Sequence, residues 1–343
     1  MPILRGLVRR EGEAIFDLVA GFCHSQILLA LVRLEIPSRL VEEELPLMRL
    51  ATACDLSPRQ MTLLLNGGIA LGLLKQRASG HYALTARGAA LAGVPGLQGM
   101  IAHHDILYRD LADPLALLKG EVETELAGFW PYVFGEGAAR DPVQAQAYSR
   151  LMADTQGLVA EDTLAAVNFS DAQHVLDVGG GTGTFLAALG ARYPDPQLAL
   201  LDLPEVVTVA QDRFDAAGLA GRVRCHAGSF RDGPLPRGAD TITLVRVLYD
   251  HSDTTVRALL AAVREALPTG GRIVVSEPML GGHRPTRAGD IYFALYCTAM
   301  RTGRARSAKE IGALLEEAGF IAVTAPRTRR PFITSVVTAV SSA

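Results

Sequence analysis

The chain has 343 residues, 49% of them hydrophobic and 20% charged, which is enough for two domains with separate cores. A net charge of −3 and a pI near 6.3 exclude nucleic acid as the main partner, because binding a phosphate backbone needs a basic footprint. Cys23, Cys54, Cys225 and Cys297 are scattered, form no C-x-x-C pair and suggest a reducing cytoplasm. Met1 to Arg10 leads into a mixed helix rather than an apolar signal segment, and no stretch is expected to reach the length that spans a bilayer.

Residues 13–34 read as a helix, with Ile15, Leu18, Val19, Phe22 and Leu29 at helical spacing. Its run from Ile27 to Val32 is apolar nearly all round, so the helix is expected to pack in a partner subunit or in the protein's own core. Leu47 to Cys54 reads as a short helix. Ser57 then caps a second one, with Pro58 at its first position. Leu73–Arg77 and His81–Leu84, joined by Ser79-Gly80, form a two-stranded wing, and Thr85 caps a further helix. The layout is a winged helix. Its second helix offers Arg59 and then Leu63-Leu64-Leu65, which suits packing rather than a DNA groove.

Residues 98–168 read as largely helical. The neighbours His103 and His104 point to different sides of a helix, which disfavours a metal pair. His104, Phe129, Trp130 and Met152, with Tyr296 and Met300 further on, are the candidates for the wall of an apolar pocket, although core packing explains such residues equally well.

The centre of the chain is His174 to Thr184. Val175–Val178 reads as a buried strand, and Gly179, Gly181 and Gly183 turn it sharply into a helix. Such a turn leaves backbone N–H groups free at a helix N-terminus and holds a nucleotide-like ligand at the switch point of a doubly wound sheet. Residues 198–202 form a second strand ending in Asp202, an acid placed to hold ribose hydroxyls. Strands at 222–226, 240–247 and 272–276 follow, with a helix at 254–267. Ser307 and Glu310 make a capping box for a helix at 307–318, and two closing strands flank Pro326–Pro331. Alternating strands and helices imply an α/β domain with a mostly parallel sheet. The expected divisions are 1–95 for the winged helix, 96–170 for a helical linker and pocket segment, and 171–343 for the α/β domain.

The glycines fall as G-x-G-x-G with Asp177 two positions ahead, not as the G-x-G-x-x-G of dinucleotide enzymes. This form, with Leu201-Asp202-Leu203-Pro204, Arg246 to Asp253 and Ala266 to Arg272, resembles the two-domain S-adenosylmethionine-dependent O-methyltransferases over nearly the whole chain. The blocks Val247–His251, Ser276–Met279 and Thr302–Ser307 resemble most the bacterial carotenoid branch, which methylates the tertiary 1-hydroxyl of hydroxyneurosporene or demethylspheroidene. The resemblance implies a Rossmann-like class I methyltransferase sheet and an N-terminal α-helical winged-helix dimerisation domain. It also implies a homodimer, S-adenosyl-L-methionine as methyl donor with S-adenosylhomocysteine as product, and a cytoplasmic enzyme in peripheral contact with the membrane that dissolves its carotenoid.

By motif position, Asp177, Gly179, Gly181 and Gly183 should border the methionine part, Asp202 and Leu203 the ribose, and Ser229 and Phe230 the adenine, with Arg246 near the cofactor. Ser229 departs from the Asp of many relatives, Tyr249 stands where the plant enzymes have a catalytic histidine, and Ala305 stands where they have a carboxylate. A tertiary alcohol is far less acidic than a phenol, whose pKa is about 10, so a positioned proton acceptor is needed. His251 is the expected acceptor; the alternative is Tyr249 orienting the hydroxyl with Glu277 behind it. Asp250 and Asp253 read as caps of the helix at 254–267, and Arg327, Arg329 and Arg330 as a basic loop able to meet anionic lipid. Same-scaffold rivals act on polyketides, phenols or tetrapyrroles; a winged-helix ligand sensor and an NAD-dependent reductase are the rivals from other classes.

Overall fold

In the structure, a computed structural model, residues 2–129 and 142–342 are described, with side chains over 10–128 and 153–342. Trp130 therefore lies outside the described residues, as do the side chains of Phe129 and Met152. The chain divides into Met1–Asp105 and Ile106–Ala343. The segment 96–170 is thus not a unit of its own. Val159, Ala160 and Leu164 pack with Phe169 and Phe185 in the core of the second unit.

The first unit carries α1 (Pro2–Arg33), α2 (Ile36–Glu42), β1 (Leu45–Pro46), α3 (Leu47–Ala53), α4 (Pro58–Ala70), β2 (Leu74–Gln76), β3 (His81–Leu84) and α5 (Ala86–Gly93). The strands pair antiparallel in the order β1–β3–β2, so the expected two-stranded wing gains a third, two-residue strand. Ser57 Oγ accepts from Gln60 N–H and Gln60 Oε1 accepts from Ser57 N–H at 2.9 Å, a complete capping box at the start of α4. Leu29, Leu31 and Val32 of α1 are buried, but Ile15, Phe16, Leu18, Val19 and Phe22 are each 61–71% exposed. The stretch Arg10–Arg33 is also long and apolar enough to cross a membrane by length and composition, contrary to the expectation from sequence. The stretch is nearly the helix read at 13–34, whose scattered apolar residues together with the Ile27–Val32 run make 24 residues apolar on average.

Helix α6 (Leu97–Asp110) runs from the first unit into the second, which continues with α7 (Pro114–Lys119), α8 (Glu125–Phe129), α9 (Pro142–Ala166), β4 (His174–Val178), α10 (Thr184–Arg192), β5 (Gln197–Asp202), α11 (Pro204–Ala216), β6 (Val223–Ala227) and β7 (Thr241–Val245). It closes with α12 (Asp253–Ala266), β8 (Arg272–Glu277), β9 (Met279–Leu280), α13 (Ala294–Met300), β10 (Arg306–Ser307), α14 (Ala308–Glu317), β11 (Phe320–Thr324) and β12 (Ser335–Ser341). The seven-stranded sheet has the order β11–β12–β8–β7–β4–β5–β6. Strands β6, β5, β4, β7 and β8 are parallel; β12 runs antiparallel to β8 and to β11. The outer pair slips register between Ile321 and Thr324, where Ala322 takes φ 53°.

Both faces of this sheet are covered, and the period of two along its strands divides the core. Leu176, Ile242, Leu244, Ile273 and Val275 pack on Leu260 and Val263 of α12 and on Ile311 and Leu315 of α14. Val175, Leu198, Leu200 and Val274 face Leu164 of α9, Phe185 and Leu189 of α10 and Phe214 of α11. Ser252, not Asp250 or Asp253, caps α12, its Oγ accepting from Thr255 N–H. The loop arginines also differ from expectation. Arg330 is held by Asp162 at 3.0 Å and Glu161 at 2.6 Å on α9, and Arg329 lies 3.8 Å from Glu161, so two of the three turn back onto the protein's own acids.

Candidate active site

Chain order reverses between β4 and β7, so a crevice opens at the carboxyl ends of these strands. The expected site residues stand in one row there: the glycine loop after β4, Asp202 and Leu203 at the end of β5, Ser229 and Phe230 after β6, Arg246 after β7, and Glu277 at the end of β8.

Gly179, Gly181 and Gly183 have φ of 68°, 58° and 76°, a region that only glycine enters freely. A Cβ on Gly181 would meet nothing within 4 Å, so the loop leaves open space on that side. The three glycine N–H groups are not free, as the sequence suggested. Gly179 donates to Leu201 O at 2.8 Å, Gly181 to Asp202 Oδ2 at 2.7 Å and Gly183 to Gly180 O at 3.1 Å. Asp202 is thereby fixed by the loop and by Leu203 N–H at 2.7 Å, while remaining half-exposed. Asp177 is different. It is wholly buried, accepts from Thr243 Oγ1 at 2.6 Å through Oδ1 and has no partner on Oδ2. This carboxylate with no exposed surface lies beneath the loop, its Oδ2 in the path of a Cβ on Gly180.

A Cβ at Gly183 would run into the ring of Phe214. We expect Gly183→Ala to combine this clash with a left-handed backbone, costing about 2–4 kcal/mol, and to weaken binding of the methyl donor at least tenfold by calorimetry.

Burial pushes Asp177 and Glu277 up to about 7, only partly opposed by Thr243 for Asp177 and by Arg306 for Glu277. A group whose folded pKa is raised binds its proton more tightly when folded. Its stability contribution is complete below the ordinary carboxylate range and is lost as pH rises through about 7. The thermal midpoint of the ligand-free protein should therefore fall across that interval, and Asp177→Asn should flatten the fall in a calorimetric pH series.

The turn Leu248–Asp250 is a single buried 3₁₀ turn after β7, clamped from three sides. Glu277 Oε2 accepts from Leu248 N–H at 2.9 Å and Tyr249 N–H at 3.3 Å. Arg306, fully buried, donates to Leu248 O at 2.8 Å and His251 O at 2.9 Å and pairs with Asp253. Gly303 lies so close that a Cβ there would collide with Tyr249 O and the Asp250 and His251 backbone. Glu277 thus positions the turn through Oε2, while its Oε1 is buried without a hydrogen-bond partner.

Arg246 takes φ 61° and donates to Thr155 Oγ1 at 3.0 Å and Gln156 Oε1 at 3.3 Å on α9; it also meets the Tyr249 hydroxyl. His251 is buried, its ring edge-to-face with Phe230 at 5.2 Å. Its Nδ1 lies 3.1 Å from Arg231 Nη2. A guanidinium cannot accept, so Nδ1 accepts and the proton of the neutral ring sits on Nε2. Burial, Arg231 and Arg306 hold the imidazole down to about 4. A ring fixed this way can donate through Nε2 but cannot take a proton there, which weighs against the acceptor role expected of His251.

Tyr296 and Met300 lie on α13 in an apolar cluster with Leu107, Leu117 and Leu126. Met300 has no exposed surface and is core; the Tyr296 ring stands 6.1 Å from that of Tyr292, which lies in a π-helix at Arg287–Phe293. His104 belongs to the first unit, half-buried on α6, with desolvation lowering the pKa of its imidazole. Sequence reasoning missed Gly303, Arg306 and Tyr292 as parts of the site. The run Thr302–Ser307 was visible, but nothing in its spacing marks Arg306 as buried and Arg304 as exposed.

The comparisons agree with this geometry. Residues 108–321 match the model of the O-methyltransferase domain, and residues 16–93 that of the O-methyltransferase dimerisation domain. The chain is 56% identical to the demethylspheroidene O-methyltransferase of Cereibacter sphaeroides over 340 residues, 99% of this chain and 90% of that protein. It is 52% identical to the Rhodobacter capsulatus enzyme of the same name over 339 residues, 99% and 84% of the two chains. The crystal structure of human N-acetylserotonin methyltransferase in complex with SAM shares the fold, with a TM-score of 0.81 at 24% identity, covering 97% of this chain and 98% of that one. With one family model lying in each of the two units, the chain belongs to the O-methyltransferase family.

Proposed function

We propose that this protein moves a methyl group from S-adenosylmethionine to the tertiary 1-hydroxyl of an acyclic carotenoid such as demethylspheroidene, as a homodimer joined through its first unit. The observation that carries this reading is its identity, over nearly the whole chain, to demethylspheroidene O-methyltransferases. The exposed apolar face of α1, inside the matched dimerisation segment, supports the dimer, because a face of that size needs a partner.

The residues present fit the methyl donor. Asp202 offers a half-exposed carboxylate at the end of β5 for ribose hydroxyls, and the loop is open at Gly181. Buried acids at Asp177, Asp250 and Glu277 give the crevice a character suited to a cation. When bound, S-adenosylmethionine supplies an electrophilic methyl on a positively charged sulfur. The protein's part is to bind, align and exclude water. Asp202 with Leu203 holds the ribose end, and Ser229 with Phe230 borders the adenine; the smaller Ser229 leaves Phe230 the main contact. Arg246, reaching α9, fixes the Tyr249 hydroxyl as an acceptor and leaves its O–H to orient the substrate hydroxyl. Tyr296, on α13 of the second unit, is the proposed wall residue for the polyene.

Incubating the purified protein with methyl-labelled S-adenosylmethionine and a 1-hydroxy carotenoid in detergent should put label into a methoxy carotenoid. Label found only on a phenol or a tetrapyrrole would remove the carotenoid reading while leaving the methyl donor in place. Peripheral contact with the membrane is part of the same proposal, since the substrate is dissolved there. Sedimentation with anionic vesicles should carry the protein down, and retention in the supernatant counts against it.

A further inference from the structure

Asp250 is the acid that sits on the clamped turn itself, and no bond of the clamp uses its carboxylate. It follows Tyr249 on the turn, is buried, and its Oδ1 has no hydrogen-bond partner. An orphaned carboxylate oxygen is costly to bury and calls for an explanation. The turn that carries it begins against the glycine loop, where Val247 Cγ2 stands 3.0 Å from the place of a Cβ on Gly179. Its neighbours are Arg246 from the end of β7, Glu277 from the end of β8, Tyr296 and Cys297 from α13, and Tyr249 on its own turn. Glu277 gives Oε2 to the backbone and, like Asp250, keeps one buried oxygen without a partner, Oε1, while His251 has its acceptor nitrogen turned to Arg231. Of the two orphaned oxygens, Oδ1 of Asp250 is the one carried by the turn itself, next in sequence to the tyrosine that orients the hydroxyl.

We infer that Asp250 takes the proton of the substrate hydroxyl during methyl transfer, and that the sulfonium of the methyl donor is what keeps it ionised to do so. The inference rests on the reading above of donor and acceptor. As the hydroxyl oxygen bonds to the methyl carbon and that carbon's bond to sulfur breaks, the O–H proton passes to Oδ1. A carboxylate and a sulfonium thus become a carboxylic acid and a thioether, so two opposite charges vanish together in a buried site and none is left uncompensated. The free protein agrees with the first half of this cycle. Burial pushes the Asp250 carboxyl far above its ordinary range, Glu277 adds to the effect and Arg246 only partly opposes it. A permanent cation arriving beside it reverses that balance, and its neutral thioether product does not.

The test needs no turnover. Titrate the full-length protein at about pH 8.5, where Asp177 and Glu277 are already ionised, with S-adenosylmethionine, then with S-adenosylhomocysteine, in buffers of different ionisation enthalpy. The cationic ligand should expel close to one proton and the neutral product none. Asp250→Asn should bind both ligands with no proton expelled and lower kcat by about a hundredfold or more, whereas Asp177→Asn and Glu277→Gln should keep the release. Release that survives in Asp250→Asn, or that disappears in either of the other two, overturns the assignment. Equal release with both ligands does so as well. Should Asp250→Asn not fold, Asp250→Glu replaces it. Release retained with reduced kcat supports the role, and wild-type kcat with no release refutes it. Absence of any heat from S-adenosylmethionine in the wild type would instead sink the proposed function and leave Asp250 out of it.

Discussion

Replacing Gly303 with alanine should lower kcat by about a hundredfold while the protein still folds and still binds the methyl donor. The added Cβ has no room. It points into Tyr249 O and the backbone of Asp250 and His251, none of which is a flexible side-chain end. The turn must move by a fraction of an ångström to an ångström, and misplacing reacting groups by that amount costs on the order of a hundredfold in rate. Asp202 and the glycine loop lie on other strands and should keep their grip on the ribose. Steady-state kinetics alongside calorimetric binding separates the two effects. An unchanged kcat would mean that the turn carries no reacting group, and the assignments to Tyr249 and Asp250 would fall with it.

Arg306→Met should produce the largest loss of stability among single changes at the site, about 3–5 kcal/mol, seen as a drop in Tm of roughly 6–20 °C. The guanidinium is fully buried and answers four acceptors: the carbonyls of Leu248, His251 and Arg304 and the carboxylate of Asp253. Methionine fills the volume and satisfies none of them. Arg304, and after it Arg306, holds the Asp253 carboxyl down at about 2, so one surviving partner keeps that acid ionised while the three carbonyls lose their donor. Arg306→Lys should recover only part of the loss, because one ammonium cannot span acceptors that a planar fork reaches together.

How far sequence alone reaches differs between the scaffold and the site. Most of the parallel strands are legible as short apolar runs, and the N-cap at Ser57 and the capping box at Ser307 stand where the pattern puts them. The closing hairpin is legible from two β-rich runs around a proline loop. What spacing cannot give is the direction in which a side chain points. Asp177 and Asp202 both read as ligand contacts, yet one is sealed under the loop and the other opens onto it. His251 reads as a base until Arg231, twenty residues earlier in the chain, is seen to occupy its Nδ1. Asp250 reads as a helix cap because carboxylates before helices usually are, and only the tertiary fold, which gives the cap to Ser252, leaves it orphaned. Arg330 reads as surface charge because its two acids lie 168 and 169 residues away in sequence.

The register slip at Ala322 has a consequence for how the molecule behaves among its copies. Strand β11 is the outer strand on its side of the sheet, and Ile321 leaves an apolar side chain 55% exposed there. A straight edge of that kind is a template on which a second chain can add its own strand. With Ala322 at φ 53°, the ladder is broken in mid-strand and the free backbone groups no longer fall in a regular row. Holding alanine in that conformation costs about 1–2 kcal/mol. The strain lies far from any chemistry, and its return is colloidal: the enzyme can be concentrated near its apolar substrate without its sheets joining end to end.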